Sequence, residues 1–117
     1  MLKVIALMKR KPGLTMAQFI EYYETRHAPL MHRLQQPELV GYKRNFVNLE
    51  GAILTDGASP WFDVVTELYF ADRPAYDRVM ARLGEPELTR IRSEDEDNFL
   101  DRRHIHFFLV EEKVTGK

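Results

Sequence analysis

The chain contains no cysteine among its 117 residues. Disulfides, thiolate metal sites and cysteine nucleophiles are therefore excluded, and a reducing compartment is permitted. No apolar stretch approaches the length of a transmembrane helix, and the short apolar run at residues 1–9 lacks the small-residue cleavage site of a signal peptide. From these absences we expect a soluble, cytoplasmic protein with no membrane partner.

The chain also has no excess of either charge. Seventeen Lys and Arg residues face eighteen Asp and Glu residues, so the net charge is -1. Such a balance gives no electrostatic reason to expect nucleic acid or an anionic membrane as a partner. Phosphate-binding loops, dinucleotide fingerprints and haem-attachment motifs are missing too. We therefore expect no cofactor.

Its length is that of one small domain, which we assign to residues 1–117. The hydrophobic fraction of 44% is enough for a core. A chain of this size buries only roughly two thirds of its unfolded surface, so association with a second copy would add stabilising burial.

Hydrophobic spacing and turn residues divide the chain into strands and helices. Thr15 with Gln18 forms a capping-box pattern at the start of the first helix, and Pro29 should bend that helix near residue 28. Residues 49–60 are expected to form a loop. The expected strands cover 2–9, 39–48, 62–70 and 103–114, and the expected helical segments cover 16–34, 72–84 and 86–100.

This βαββαβ order is typical of a ferredoxin-like α+β fold, in which two helices lie on one face of a four-stranded antiparallel sheet. Apolar residues nevertheless alternate onto both faces of the first, third and fourth strands. A second sheet would cover the face that has no helices. The pattern therefore predicts a homodimer with the form of a dimeric α+β barrel.

Residues 11–30, KPGLTMAQFIEYYETRHAPL, resemble the EthD family of small dimeric α+β barrel proteins. The shared features are a Pro-Gly-Leu-Thr opening, a Phe, an aromatic pair and His-Ala-Pro-Leu. The strand at 63–70 and the acidic segment at 95–101 also agree with the family pattern. One departure is Tyr23, where the family often has Trp, so an aromatic wall is kept and a phenol is gained.

The resemblance implies a fold more firmly than a reaction. Relatives include proteins associated with dehydration or decarboxylation of aromatic polyketides. The wider barrel superfamily adds muconolactone isomerases, polyketide cyclases, cofactor-free monooxygenases and haem-binding enzymes. Fold alone does not choose among these activities.

His27 is the first catalytic candidate, because imidazole titrates near neutral pH and can act as a general acid or base. It follows Tyr23 by four residues on one helical face, so Tyr23 could assist it. The alternative is a histidine that ties the bent helix to a backbone carbonyl. Glu67 is the other candidate partner: burial without an ion partner would raise the pKa of its carboxyl. It could instead occupy an exposed strand position or form an ion pair across the dimer.

Further aromatic and basic residues are candidates for contact with a substrate. The alternative for most of them is ordinary packing in the core or at the dimer interface. Two histidines on the last strand could reach one metal ion, but no third ligand is evident, so we expect no metal site. The acidic run at 94–97 is expected to face solvent. The candidate contacts are Phe19, Arg44, Phe46, Trp61, His104 and His106.

Three functions are compatible with these residues. The first is a cofactor-free lyase or isomerase that transfers a proton on a small carbonyl compound, by dehydration, isomerisation, cyclisation or decarboxylation. The second is a dimer that binds an organic ligand without catalysis, for example in a stress response. The third is a haem-binding enzyme, with His27, His104 or His106 as axial ligand, or a cofactor-independent oxygenase.

Overall fold

The computed structural model describes residues 1–116, and four strands form its single sheet. The strands lie in the order β2-β3-β1-β4, and every neighbouring pair is antiparallel. This is the expected ferredoxin-like α+β arrangement, which is thereby confirmed. The strand bounds are β1 Leu2–Arg10, β2 Leu39–Phe46, β3 Val64–Phe70 and β4 Leu100–Val110.

The helices connect the strands on one side of the sheet. Thr15 and Gln18 form the expected capping box at the start of α1, and the Asp72 side chain accepts from the backbone of Ala75 at the start of α3. No helix within residues 1–116 has the length and apolar composition of a membrane span. The helices are α1 Met16–Tyr22, α2 Ala28–Leu34, α3 Arg73–Leu83 and α4 Pro86–Glu96, with a π-helical turn at Tyr23–His27.

Several element bounds differ from expectation: β2 ends at Phe46 rather than 48, β3 begins at Val64 rather than 62, and β4 ends at Val110 rather than 114. The first helix is widened at the π-helical turn, before residue 28, because the ring of Pro29 crowds the preceding turn and its nitrogen has no hydrogen to donate. The fourth helix ends at Glu96 rather than near residue 100. β4 begins at Leu100 rather than 103, since Leu100 already pairs with Arg10.

The two faces of the sheet have different surroundings. Core residues of β1 and β3 with even numbers, such as Val4 and Leu68, pack against the helices. The odd-numbered residues, such as Ile5 and Val65, lie on the opposite face, which we call the open face. Within residues 1–116, the helical residues of both core clusters pack against the face of the sheet that carries these even-numbered residues.

Candidate functional site

The π-helical turn places two candidate residues side by side. Tyr23 and His27 are both buried, and their ring centroids are 4.7 Å apart in an edge-to-face arrangement. The turn is closed by the Ala28 backbone N–H, which donates to the Tyr23 carbonyl. Such single π-helical turns occur often at functional sites, since the extra residue redirects neighbouring side chains.

His27 is paired with a carboxylate from the other end of the chain. Its Nδ1 lies 2.6 Å from Oδ2 of Asp95, a residue of α4. Tyr22 donates from its hydroxyl to the other oxygen of Asp95 at 3.0 Å, and the Phe99 ring lies 4.7 Å from the imidazole. Because a carboxylate can only accept, Nδ1 carries the hydrogen in this pair, and the lone pair of neutral His27 is on Nε2.

A chain of three hydroxyl groups lies beside this pair. The Tyr42 hydroxyl donates to the Tyr23 hydroxyl at 3.3 Å, and the Tyr23 hydroxyl shares a 2.6 Å hydrogen bond with Thr66 Oγ1. Burial raises the pKa of both phenols above the ordinary value. The two phenols therefore keep their hydrogens near neutral pH and act as hydrogen-bond donors.

His27, Tyr23, Tyr42 and Thr66 all line one cavity between the helices and the sheet, with a volume of about 370 Å³. This size is within the range of small-molecule sites. Most of the remaining wall is apolar, so an ionic or hydrogen-bonding contact inside it is strengthened by the low polarity of its surroundings. The apolar lining residues are Ala6, Met8, Met31, Leu68, Met80, Leu83, Ile105 and Phe107.

Three further polar residues belong to this cavity wall. Gln35 Oε1 and Arg92 Nε are buried and have no hydrogen-bond partner in the part of the chain that the structure describes. Each buried donor or acceptor without a hydrogen-bond partner lowers the stability of the folded state by about 1–3 kcal/mol. Glu96 lines the cavity as well, and burial raises the pKa of its carboxyl above the ordinary value.

Glu67 does not join His27, which corrects our expectation of a partnership. It lies on the open face, across the sheet from the cavity, because its neighbour Thr66 occupies the face toward the helices. Its carboxylate forms a 2.6 Å ion pair with Lys3 and accepts from Asn45 at 2.9 Å. These contacts, above all the hydrogen bond from Lys3, lower the pKa of Glu67 rather than raise it.

Three candidate contact residues also lie outside the cavity lining. Phe19 and Phe46 belong to an aromatic cluster in which their ring centroids are 6.1 Å apart. Phe19 is fully buried there, so its position is that of a core residue. Arg44 binds the Glu24 carboxylate through two nitrogens, at 2.6 and 2.9 Å. The contact forms because the π-helical turn places Glu24 beside the outer strand β2, which carries Arg44.

The remaining candidates are grouped on the open face. The Trp61 ring lies 4.7 Å from the His106 ring and 6.2 Å from the His104 ring, measured between centroids. The alternation of β4 separates these histidines from Ile105, which lines the cavity on the other face. Within residues 1–116 there is no group of three or more side chains that could hold a metal ion.

Asp95 is a residue of the candidate site that the sequence pattern did not identify. The run at 94–97 was expected to face solvent, and Glu94 and Asp97 do, but Asp95 is only 8% exposed. The spacing held the signal: Asp95 follows Ile91 by four residues and precedes Phe99 by four. It therefore lies on the same face of α4 as Ile91, and Phe99 continues this spacing beyond the end of the helix.

Comparisons with known proteins agree with this architecture. Residues 11–103 match the model of the EthD domain. An EthD family protein from Bacillus halodurans is 25% identical, with a TM-score of 0.66 over 97% of this chain and 99% of that chain. An EthD-like protein from Ralstonia eutropha is 21% identical, with a TM-score of 0.62 over 93% and 86%.

The fold is shared more widely. SnoaB from Streptomyces nogalater, a cofactor-independent oxygenase, has a TM-score of 0.60 at 14% identity over 97% of this chain and 94% of that chain. A comparison with curated protein sequences found no match. The family model covers most of the chain, including the π-helical turn and Asp95. The chain belongs to the EthD family, as its sequence resemblance indicated.

Proposed function

We propose that this protein is a cofactor-free enzyme that transfers a proton on a small organic carbonyl compound. Dehydration, isomerisation, cyclisation and decarboxylation all include such a transfer. The observation that carries the proposal is the 2.6 Å pairing of His27 Nδ1 with Asp95, which leaves Nε2 as the basic nitrogen of a residue that lines an apolar cavity. An oriented histidine with a carboxylate partner is a recurrent general base.

The chemistry follows from the groups that line the cavity. His27 Nε2 takes a proton from a carbon next to the substrate carbonyl, and the electrons of the broken C–H bond form an enolate. Asp95 stabilises the imidazolium that results, since the opposite charges are close and shielded from water. A hydroxyl of the Tyr42–Tyr23–Thr66 chain donates a hydrogen bond to the enolate oxygen. His27 then returns the proton to another atom of the substrate.

The test uses β-tetralone, a two-ring ketone with acidic C–H groups beside its carbonyl. In deuterium oxide under argon, we expect the protein to accelerate exchange of these hydrogens, as followed by nuclear magnetic resonance. His27→Gln should reduce the acceleration by about 10²-fold or more, the usual contribution of a general base. His104→Gln is the matched control, since His104 lies on the open face. Equal exchange rates for the wild type and His27→Gln would refute the role of His27.

An oxygenase is the second candidate function, and the shared fold with a cofactor-independent oxygenase favours it. Its first step could be the same deprotonation, after which the substrate anion would react with dissolved oxygen. Oxygen uptake by β-tetralone and protein in air, measured with an electrode, distinguishes the two. Uptake that depends on His27 would support the oxygenase. Saturable binding with neither exchange nor uptake would instead favour a non-catalytic binding protein.

We also propose that a second copy of the chain covers the open face. Ile5, Leu7 and Val65 lie there half-buried, and Phe108 on the edge strand is 43% exposed. Burying these side chains against a second sheet would remove apolar surface from water. Lys3 on the same face is paired within one copy with Glu67 at 2.6 Å and with Glu112 at 2.7 Å, so the ammonium charge keeps its partners when the face is covered.

A further inference from the structure

Gln35 and Arg92, which carry the two unpartnered polar atoms, line the cavity at the end where α2, α3 and α4 approach each other. Arg82 donates to the backbone carbonyls on both sides of Gln35, each at 3.2 Å, which fixes the end of α2 against the last turn of α3. The next residue, Leu83, accepts from Arg92 Nη2 at 3.0 Å. The last turn of α3 therefore brings Gln35 and Arg92 to the same end, which we call the polar end.

His27 is at some distance from the polar end. It precedes Gln35 by eight residues, which corresponds to about 12 Å along a helix. A ligand that touches both His27 and Gln35 must therefore be about as long as two fused rings with a substituent. The apolar side chains between the two ends, among them Met31 and Leu68, suit such a hydrocarbon body.

The two unpartnered atoms are complementary in type. Gln35 is 3% exposed, and its Oε1 accepts hydrogen bonds. Arg92 Nε–H donates, while another nitrogen of the same guanidinium is already held by Leu83. A ligand group that presents one donor and one acceptor side by side would satisfy both. Enolised dicarbonyls, carboxamides and un-ionised carboxylic acids have this arrangement.

The charge of the preferred group follows from the neighbours of Arg92. Glu96 lies one helical turn beyond Arg92 and lines the same cavity, so the Arg92 charge already has an acidic group beside it. A carboxylate ligand would bring a second negative group next to Glu96 and would have to lose its hydration on entry. An uncharged group avoids both effects.

We infer that Gln35 and Arg92 select substrates with an uncharged donor–acceptor group at the end remote from the reacting carbon. This inference rests on the proposed function in one respect, namely that the cavity is the substrate site. It adds the class of substrate, a compound with a two-ring apolar body, a reactive C–H near His27 and an enol, amide or acid group at Gln35 and Arg92.

Three naphthalene derivatives test the inference on the wild-type protein by isothermal titration. Naphthalene carboxamide has a donor and an acceptor, its methyl ester counterpart lacks the donor, and naphthoate is the anion. We expect the carboxamide to bind about tenfold more tightly than each of the other two, the effect of one hydrogen bond. Equal affinity for carboxamide and ester, or tighter binding of naphthoate, would overturn the inference without any variant.

Variants then assign the contacts. Gln35→Met, which keeps the side-chain length and removes the acceptor, should weaken the carboxamide about tenfold and change the ester by less than about twofold. Arg92→Met should weaken both ligands, because both contain the carbonyl acceptor. Arg90→Met, on the exposed side of the same helix, is the matched control and should change neither. Equal loss of carboxamide and ester affinity in Gln35→Met would contradict the assignment.

His27→Gln separates this inference from the proposed function. We expect this variant to keep the preference for the carboxamide over the ester while it loses the exchange reaction with β-tetralone. If the wild type catalyses exchange but does not prefer the carboxamide, the polar-end assignment is wrong and the proton-transfer function stands. If the preference is present and exchange is absent, the ligand class stands and the catalytic proposal is wrong.

Discussion

The carboxylate of Asp95 holds the imidazole of His27, with Oδ2 and Nδ1 at 2.6 Å, although 68 positions separate them in the chain. Two elements must fold correctly to form this contact. The π-helical turn directs His27 inward, and α4 carries Asp95 on its buried side. The contact joins the family's His-Ala-Pro-Leu segment to an acidic segment near the last strand.

The first prediction concerns Asp95→Asn. The amide can donate to Nδ1 and thus favour the other tautomer of His27, with the hydrogen on Nε2 and no basic lone pair toward the cavity. We expect the rate of β-tetralone exchange to fall about tenfold or more, while ligand binding persists. Asp97→Asn, on the exposed part of the same run, is the control. An unchanged rate in Asp95→Asn would show that the pair is only structural.

The second prediction concerns Glu96 and the pH dependence of stability. Burial raises the folded-state pKa of Glu96 above its ordinary value of 4.5, so the folded protein holds this proton more tightly than the unfolded chain. Stability should therefore fall as pH rises from about 4.5 through the raised pKa. Glu96→Gln removes this pH-dependent contribution. Its stability relative to the wild type should therefore be higher at neutral pH than at acidic pH.

Thermal unfolding midpoints of the wild type and Glu96→Gln, measured across this pH range, check the second prediction. The difference between the two midpoints should grow as pH rises. Glu94→Gln controls for loss of an exposed charge from the same helix. A difference that is constant with pH, or that shrinks as pH rises, would contradict a raised pKa at Glu96.

The third prediction concerns Glu67, whose pKa is lowered mainly by the hydrogen bond from Lys3. A lowered folded-state pKa gives stability that is fully present above the ordinary value of 4.5 and is lost as pH falls through the folded value. Glu67→Gln should therefore reduce stability at neutral pH by about 1.5–3 kcal/mol, the usual value of a hydrogen bond to a charged group, since both side chains are largely buried. Urea unfolding at pH 7 and at acidic pH measures this, and the deficit should disappear in acid.

The same variant also tests where Glu67 lies relative to the chemistry. Because the sheet separates its carboxylate from the cavity, Glu67→Gln should leave the exchange rate of β-tetralone within about twofold of the wild type. His27→Gln provides the contrast. A large loss of exchange with unchanged stability would place Glu67 in the reaction after all, for example through the second copy.

The fourth prediction concerns association of two copies. Light scattering at micromolar concentration should give about twice the chain mass of 13.8 kDa. Phe108→Lys should shift the protein toward the monomer, because a charge would replace an apolar side chain at the covered face. Lys43→Ala removes a long polar side chain from the same face and is not expected to have this effect. A mass near 13.8 kDa for the wild type would refute the dimer.

Much of the fold could be predicted from local patterns. The alternation of residues 62–70 gives the strand and its two faces, and the pairing of Thr15 with Gln18 gives the first helix its start. These features depend on neighbours within a few positions, which the sequence displays directly. His27 was found in the same way, since it belongs to a short segment with a recognisable family pattern.

The partners of these residues depended on contacts between distant elements. The alternation shows that Thr66 and Glu67 face opposite sides, but only the packing of the helices decides that Thr66 faces the cavity. A charged run such as 94–97 shows its composition and not its inward side. Gln35 and Arg92 line the cavity, and Asp95 contacts His27, because tertiary packing places them there. The same packing excludes water from groups that composition alone assigns to the surface.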